Sequence, residues 1–212
     1  MEQQIITRAE KFVREFFAKD ASGHDAWHTF RVRSLALRLA EMEGADPLTV
    51  ELAALLHDVD DRKLSPQTHE TLGNAVGFLR KENVEEARIG QICAIIRALS
   101  FSSGLVPESL EGRVVQDADR LDAIGAIGIA RTFAYGGAHG RAIHLPEEAA
   151  RPDLSREEYA ARASTGINHF YEKLLLLKDL MNTASARRMA EARHRYMLDY
   201  LEEFQAEWEG RR

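Results

Sequence analysis

Apolar residues recur along this chain at intervals of three and four, and no stretch alternates as a half-buried strand would. Between Asp46 and Asp60, Leu48, Leu52, Leu55, Leu56 and Val59 are spaced four, three, one and three apart. That spacing draws one stripe down a helix. Asp46-Pro47 ahead of it is an N-cap followed by proline at the first helical position. Similar stripes predict a first helix through Ile5, Phe12, Val13, Phe16 and Phe17, and a second from about 26 to 43 with Gly44 just past its end. A fourth is expected at roughly 68–82, and a fifth opened by an Asn83/Glu86 capping box and running to about Leu99. One long helix is expected from near Glu108 through "VVQDADRLDAIGAIGIARTFAYGG", apolar nearly all round in its second half and therefore central. A Ser155/Glu158 capping box predicts a helix to about Met181, and Thr183 or Ser185 opens the last one. The fold class is all-α: a helical bundle with a C-terminal helical hairpin.

Composition narrows the function. With 212 residues, 45% of them hydrophobic, the chain can bury one sizeable core or two small ones. The expected organisation is a single domain over 1–212, with helices 155–209 packed on the rest. The net charge of -6 (28 Lys and Arg against 34 Asp and Glu) argues against nucleic acid or an anionic membrane as partner. The single cysteine, Cys93, excludes an internal disulfide and reads as core packing. The amphipathic, charged N-terminus is no signal peptide, and no window approaches the roughly 18 apolar residues of a membrane span. A soluble cytoplasmic protein is expected. The stretch 136–154 has Gly and Pro but no sustained period. A loop of that length is usually functional; closure over a site and contact with a second copy in a homodimer are both open for it.

Three groups of polar residues do not fit a core. His57 and Asp58 end the third helix, where the dipole is negative, and Asp60 and Asp61 add to the charge. Arg62 and Lys63 could offset them in part; a divalent ion would do so better, and an imidazole with a carboxylate suits Mn, Fe, Ni or Zn. The alternative is a solvated helix end. Upstream, His28 shares a helical face with Arg31 and Leu35. A lone His there is usually a core residue, but Arg is rarely buried unpaired. In "VVQDADRLDAIGAIG", Asp122 falls in the apolar stripe and Asp119 lies about 60° away at its edge, while Asp117 and Asp119 project roughly 200° apart. For Asp122 a buried salt bridge to Arg120 or Arg131 competes with a ligand role.

Taken together, "GHDAWHTFRV", "LLHDVDDRKL" and "QDADRLDAIGAIGIARTF" resemble the HD-domain metal-dependent phosphohydrolase superfamily, in a bacterial branch that includes nucleotide pyrophosphohydrolases. The match spans roughly residues 20 to 140. The resemblance implies a helical fold with one divalent ion, Mn favoured over Ni, Fe, Mg or Zn, held by His28, His57, Asp58 and Asp119. It makes Asp61, three residues after Asp58, the candidate general base, with Asp60 its competitor. It makes Arg31, Lys63 and His24, with Arg97 as a further contact, the candidates for substrate phosphate. The implied reaction is hydrolysis of a phosphoanhydride or phosphoester in a small nucleotide, in its favoured form a nucleoside triphosphate cleaved to monophosphate and pyrophosphate. A 5′-nucleotidase or another phosphodiesterase would use the same ligands. A metal-stabilised, non-catalytic ligand binder is the reading from another class.

Overall fold

A computed structural model of the chain describes residues 2–18, 26–99, 105–152 and 164–212. All regular structure among them is helical: α1 (Glu2–Phe16), α2 (Ala26–Glu43), α3 (Pro47–Leu56), α4 (Gly73–Lys81), α5 (Glu86–Leu99), α6 (Leu110–Asp122), α7 (Gly125–Ala138), α8 (Gly166–Glu172), a 3₁₀ segment (Leu174–Leu180) and α9 (Ala184–Trp208). None of these helices is long and apolar enough to cross a membrane. The chain divides into two compact units, 1–119 and 120–212, with the boundary inside the last turns of α6.

In the first unit the helix buried nearly all round is α3: Val50 and every residue from Leu52 to Leu56 are inaccessible to solvent. It packs against α1, α2 and α5, and α4 packs on α5. Cys93 is buried in α5, and its burial pushes the thiol pKa up.

The start of α3 is capped as the sequence predicts. The Asp46 carboxylate accepts from the Thr49 backbone N–H at 3.0 Å and from Arg88 at 2.6 Å. Partial burial would raise the Asp46 pKa; the Thr49 bonds and the Arg88 charge outweigh it and hold the carboxyl below its ordinary value. Asp46→Ala is therefore expected to lower stability by about 1 kcal/mol near neutral pH. Because the folded-state pKa is the depressed one, that contribution is complete above the unfolded value and disappears as pH falls through the folded value. Urea titrations of the two proteins at pH 7 and at pH 3 measure it.

Four expected boundaries differ, the first being the start of α4, which opens at Gly73 after turns and not near residue 68. The helix predicted to start near Glu108 is broken between Asp122 and Gly125, giving α6 and α7. Gly125 adopts φ 78°, and a Cβ on Gly128 would stand 2.2 Å from the Ala123 carbonyl oxygen. The corner exists because both positions are glycine. The second half is not central either, since Ile127 of α7 is 44% exposed. Asn83 closes α4 and does not open α5: it sits at φ 56°, with its N–H on the Arg80 carbonyl and the Val84 N–H on that of Leu79. This left-handed C-cap conformation is one that Asn tolerates. Finally, the helix expected to reach Met181 stops at Glu172, and Leu174–Leu180 continues as 3₁₀. The threefold repeat brings Leu174 and Leu177 onto one buried face. The proposed cap at Ser155 and Glu158 lies outside the described residues.

In the second unit α9 packs against α7 and the 3₁₀ segment, and α8 against both of these. Phe133, Tyr200 and Phe204 extend an aromatic cluster around the buried Phe170. Part of the expected loop is stitched onto the start of α8 by the Gly166 and Ile167 N–H groups, which donate to Ala142 and Ile143 carbonyls at 2.9 Å. Asp122, read as a ligand or an ion-pair partner, is buried in an ion pair with Arg131 at 2.6 Å.

Candidate metal centre

α2 contributes His28, the C-terminal end of α3 contributes His57 and Asp58, and α6 contributes Asp119. These are the four residues that the sequence singles out as ligands, and they converge. His28 Nε2 lies 3.5 Å from Asp58 Oδ2 and 3.4 Å from Asp119 Oδ1; His57 Nε2 lies 3.3 Å from Asp58 Oδ2. One ligand atom each from His28, His57 and Asp119 all fall within 4.8 Å of one another. The imidazole rings stand edge to face at 5.3 Å.

The donor set fits a divalent ion. His57 Nδ1 lies 2.8 Å from the Ala54 carbonyl oxygen, which can only accept, so Nδ1 carries a proton and Nε2 is the nitrogen left to give its lone pair to an ion. That Nε2 is buried without a hydrogen-bond partner. A backbone carbonyl fixing the tautomer of a metal-ligating histidine is a recurrent arrangement. Separations of 3.3–3.5 Å also exceed the usual 2.7–3.2 Å of an N–H···O bond. Donors sharing one ion at about 2.0–2.2 Å sit roughly 3–3.5 Å from their neighbours.

Electrostatics point the same way. Burial alone would lower the His57 pKa, but Asp58 and then Asp119 overcome it and raise it to about 9. Burial would raise the Asp119 pKa; its contact with His28 and the charge of His57 hold it below the carboxylate norm. The pocket favours positive charge. Asp58 is 14% exposed and Asp119 34% exposed, so the cluster opens on the Asp119 side.

The neighbouring acids have different tasks. Asp61 is half-buried, and its Oδ1 accepts from the Lys63 N–H at 2.8 Å. Asp60 is only 2% exposed, and its two oxygens accept from the Asn74 and Ala75 N–H groups at 3.1 and 2.9 Å. The competitor for general base is thus committed to the first turn of α4.

Of the expected phosphate contacts, Arg31 is half-buried one turn along α2 from His28, Lys63 is exposed two residues after Asp61, and Arg97 is exposed in the last turn of α5. His24 lies outside the described residues. Sequence reasoning missed Asn74 and His69, which bond to the backbone of this same turn; the nearest signal is a helix that opens at Gly73-Asn74 behind Leu72, a residue with no capping oxygen.

Helices presenting His, His-Asp and Asp to one point are the arrangement of the HD domain, whose family pattern matches residues 26–124. The chain belongs to the HD-domain superfamily of metal-dependent hydrolases. Among solved relatives, an HD-superfamily hydrolase from Bacillus thuringiensis is 43% identical, with 99% of each chain covered and a TM-score of 0.78. A Lactobacillus plantarum protein is also 43% identical, with 98% of each chain covered and a TM-score of 0.85. The YpgQ protein of Bacillus subtilis, solved in complex with ADP, is 35% identical over 97% of this chain and 96% of that one, with a TM-score of 0.76.

Proposed function

We propose that this chain hydrolyses a phosphoanhydride bond of a small nucleotide, in its favoured form releasing pyrophosphate from a nucleoside triphosphate. The reading rests on one observation: two imidazole nitrogens and two carboxylates converge at an accessible point, in a chain whose relative YpgQ holds ADP. His28, His57, Asp58 and Asp119 are its ligands for one divalent ion, with Mn favoured. Such an ion, when bound, polarises a phosphoryl oxygen and lowers the pKa of water.

The chain's own residues do the rest. Asp61 keeps Oδ1 on the Lys63 N–H, which orients the carboxylate, and Oδ2 accepts the proton of the attacking water. Arg31 and Lys63, with His24, bind the phosphate oxygens and offset the charge that builds in the transition state. Arg97 is the more distant candidate for the same task. A 5′-nucleotidase would use the same ligands, so the products decide.

The test is a nucleotide panel with Mn²⁺, with nucleoside monophosphate, orthophosphate and pyrophosphate measured separately. Equal release of monophosphate and pyrophosphate from a triphosphate is the expected outcome. Orthophosphate from monophosphates alone would replace the reading with the nucleotidase.

A further inference from the structure

We infer that Asp60 is a positioning residue of the metal centre: it ties the turn that carries Asp58 to the N-terminus of α4, and so sets how tightly the centre grips its ion. The inference rests on the ligand set proposed above.

Two helix ends meet at this turn. The C-terminus of α3 delivers His57 and Asp58, and the negative end of its dipole makes the surroundings unfavourable for a further carboxylate. Asp60 adds another charge, yet its carboxylate is buried. What holds it there is α4. Leu72 stands at the N-cap of that helix, in the left-handed conformation, and its side chain offers no acceptor. The N–H groups of the second and third helical residues, Asn74 and Ala75, are the ones a capping side chain normally satisfies. Asp60 supplies both acceptor oxygens from outside the helix.

The attachment is reinforced residue by residue. The Asp58 carbonyl accepts from the Asp61 N–H at 3.1 Å. The Val59 carbonyl accepts from Ser65 Oγ and from Asn74 Nδ2, each at 2.9 Å. The Asp60 carbonyl lies 2.9 Å from His69 Nδ1, which must therefore donate. The Asp61 carbonyl accepts from Leu64 and Ser65 N–H groups at 3.1 and 2.7 Å. Each carbonyl of the turn from Asp58 to Asp61 thus has a donor, and Asn74 serves it twice, through its backbone N–H to Asp60 and its side-chain amide to Val59. Such a network holds one geometry while it is complete and loosens when a member is removed. Asp58, two residues from Asp60, is the ligand whose placement depends on it most directly.

The test compares wild type, Asp60→Asn and Asn74→Ala as full-length protein stripped with chelator and titrated with Mn²⁺. Free Mn²⁺ is followed by its EPR signal and folding by circular dichroism. Asp60→Asn keeps one acceptor oxygen and loses the charge; its Mn²⁺ affinity is expected to fall about 10–100-fold, the range for partners that orient metal ligands. Because Asp60 touches no reacting atom, saturating Mn²⁺ should restore most of the turnover. Asn74→Ala, a milder change, should weaken binding in the same direction, by about tenfold or less.

A folded Asp60→Asn protein that binds Mn²⁺ as tightly as wild type and only melts earlier would make Asp60 a helix cap and nothing more. Turnover lost even at saturating Mn²⁺ would make Asp60 part of the chemistry and overturn the inference from the other side. Should Asp60→Asn fail to fold, unchanged affinity in Asn74→Ala overturns it just as well. Wild type that binds no Mn²⁺ at all sinks the ligand set, and this inference with it; tight binding in all three proteins sinks this inference alone.

Discussion

Replacing Asp61 with Asn is expected to lower kcat by about 10²–10⁴-fold while bound metal and melting temperature stay close to wild type. The choice of Asn matters. Asp61 Oδ1 accepts from the Lys63 N–H, and an amide oxygen can keep that bond, so the turn retains its shape. What the substitution removes is the basicity of the second oxygen. Asp61 is half-buried and is not in the proposed ligand set, so its charge is not expected to hold the ion. Turnover within a few-fold of wild type would remove Asp61 from the mechanism, and a parallel loss of metal would move it into the ligand set.

The helices were legible in the sequence where one periodic face met one core, as along α3, whose N-cap and end both stand as predicted. They were less legible where a local device interrupts an unbroken pattern. From Val114 to Ala134 the apolar spacing runs on as one helix, and only the backbone at Gly125 and the space at Gly128 turn the chain. Asn83 carries the same ambiguity, since its side chain suits a helix start and its backbone suits a helix end. The four converging residues could be named as a set only through the resemblance of their three flanking strings to the HD family, since position alone left a core histidine and a solvated helix end open. The division of labour between Asp60 and Asp61 could not be read locally. The two are neighbours of identical chemistry, and what separates them is a helix beginning at Gly73 without a cap of its own. For Asp122 the two candidate partners were both present in the sequence, and only the fold places Arg131 against it.

Metal should also appear as stability. An ion that binds only the folded state adds about 4 kcal/mol when its concentration is roughly a thousand times its dissociation constant. For a chain of this size, that is a rise of about 8–16 °C in Tm. Chelation is expected to leave the protein folded, because His57, with its pKa raised to about 9, carries a compensating positive charge beside Asp58 and Asp119 at neutral pH. Stripped protein should therefore melt cooperatively at the lower temperature and regain the higher one with Mn²⁺. Asp119→Ala isolates the cause. Its side chain is 34% exposed, so truncation opens no sealed cavity, yet it removes the one carboxylate that α6 supplies to the proposed ligand set. The variant should keep its secondary structure and lose most of the Mn²⁺-dependent rise along with turnover. A full rise in Asp119→Ala, measured by calorimetry at the same Mn²⁺ concentration, would place the ion elsewhere than between α2, α3 and α6.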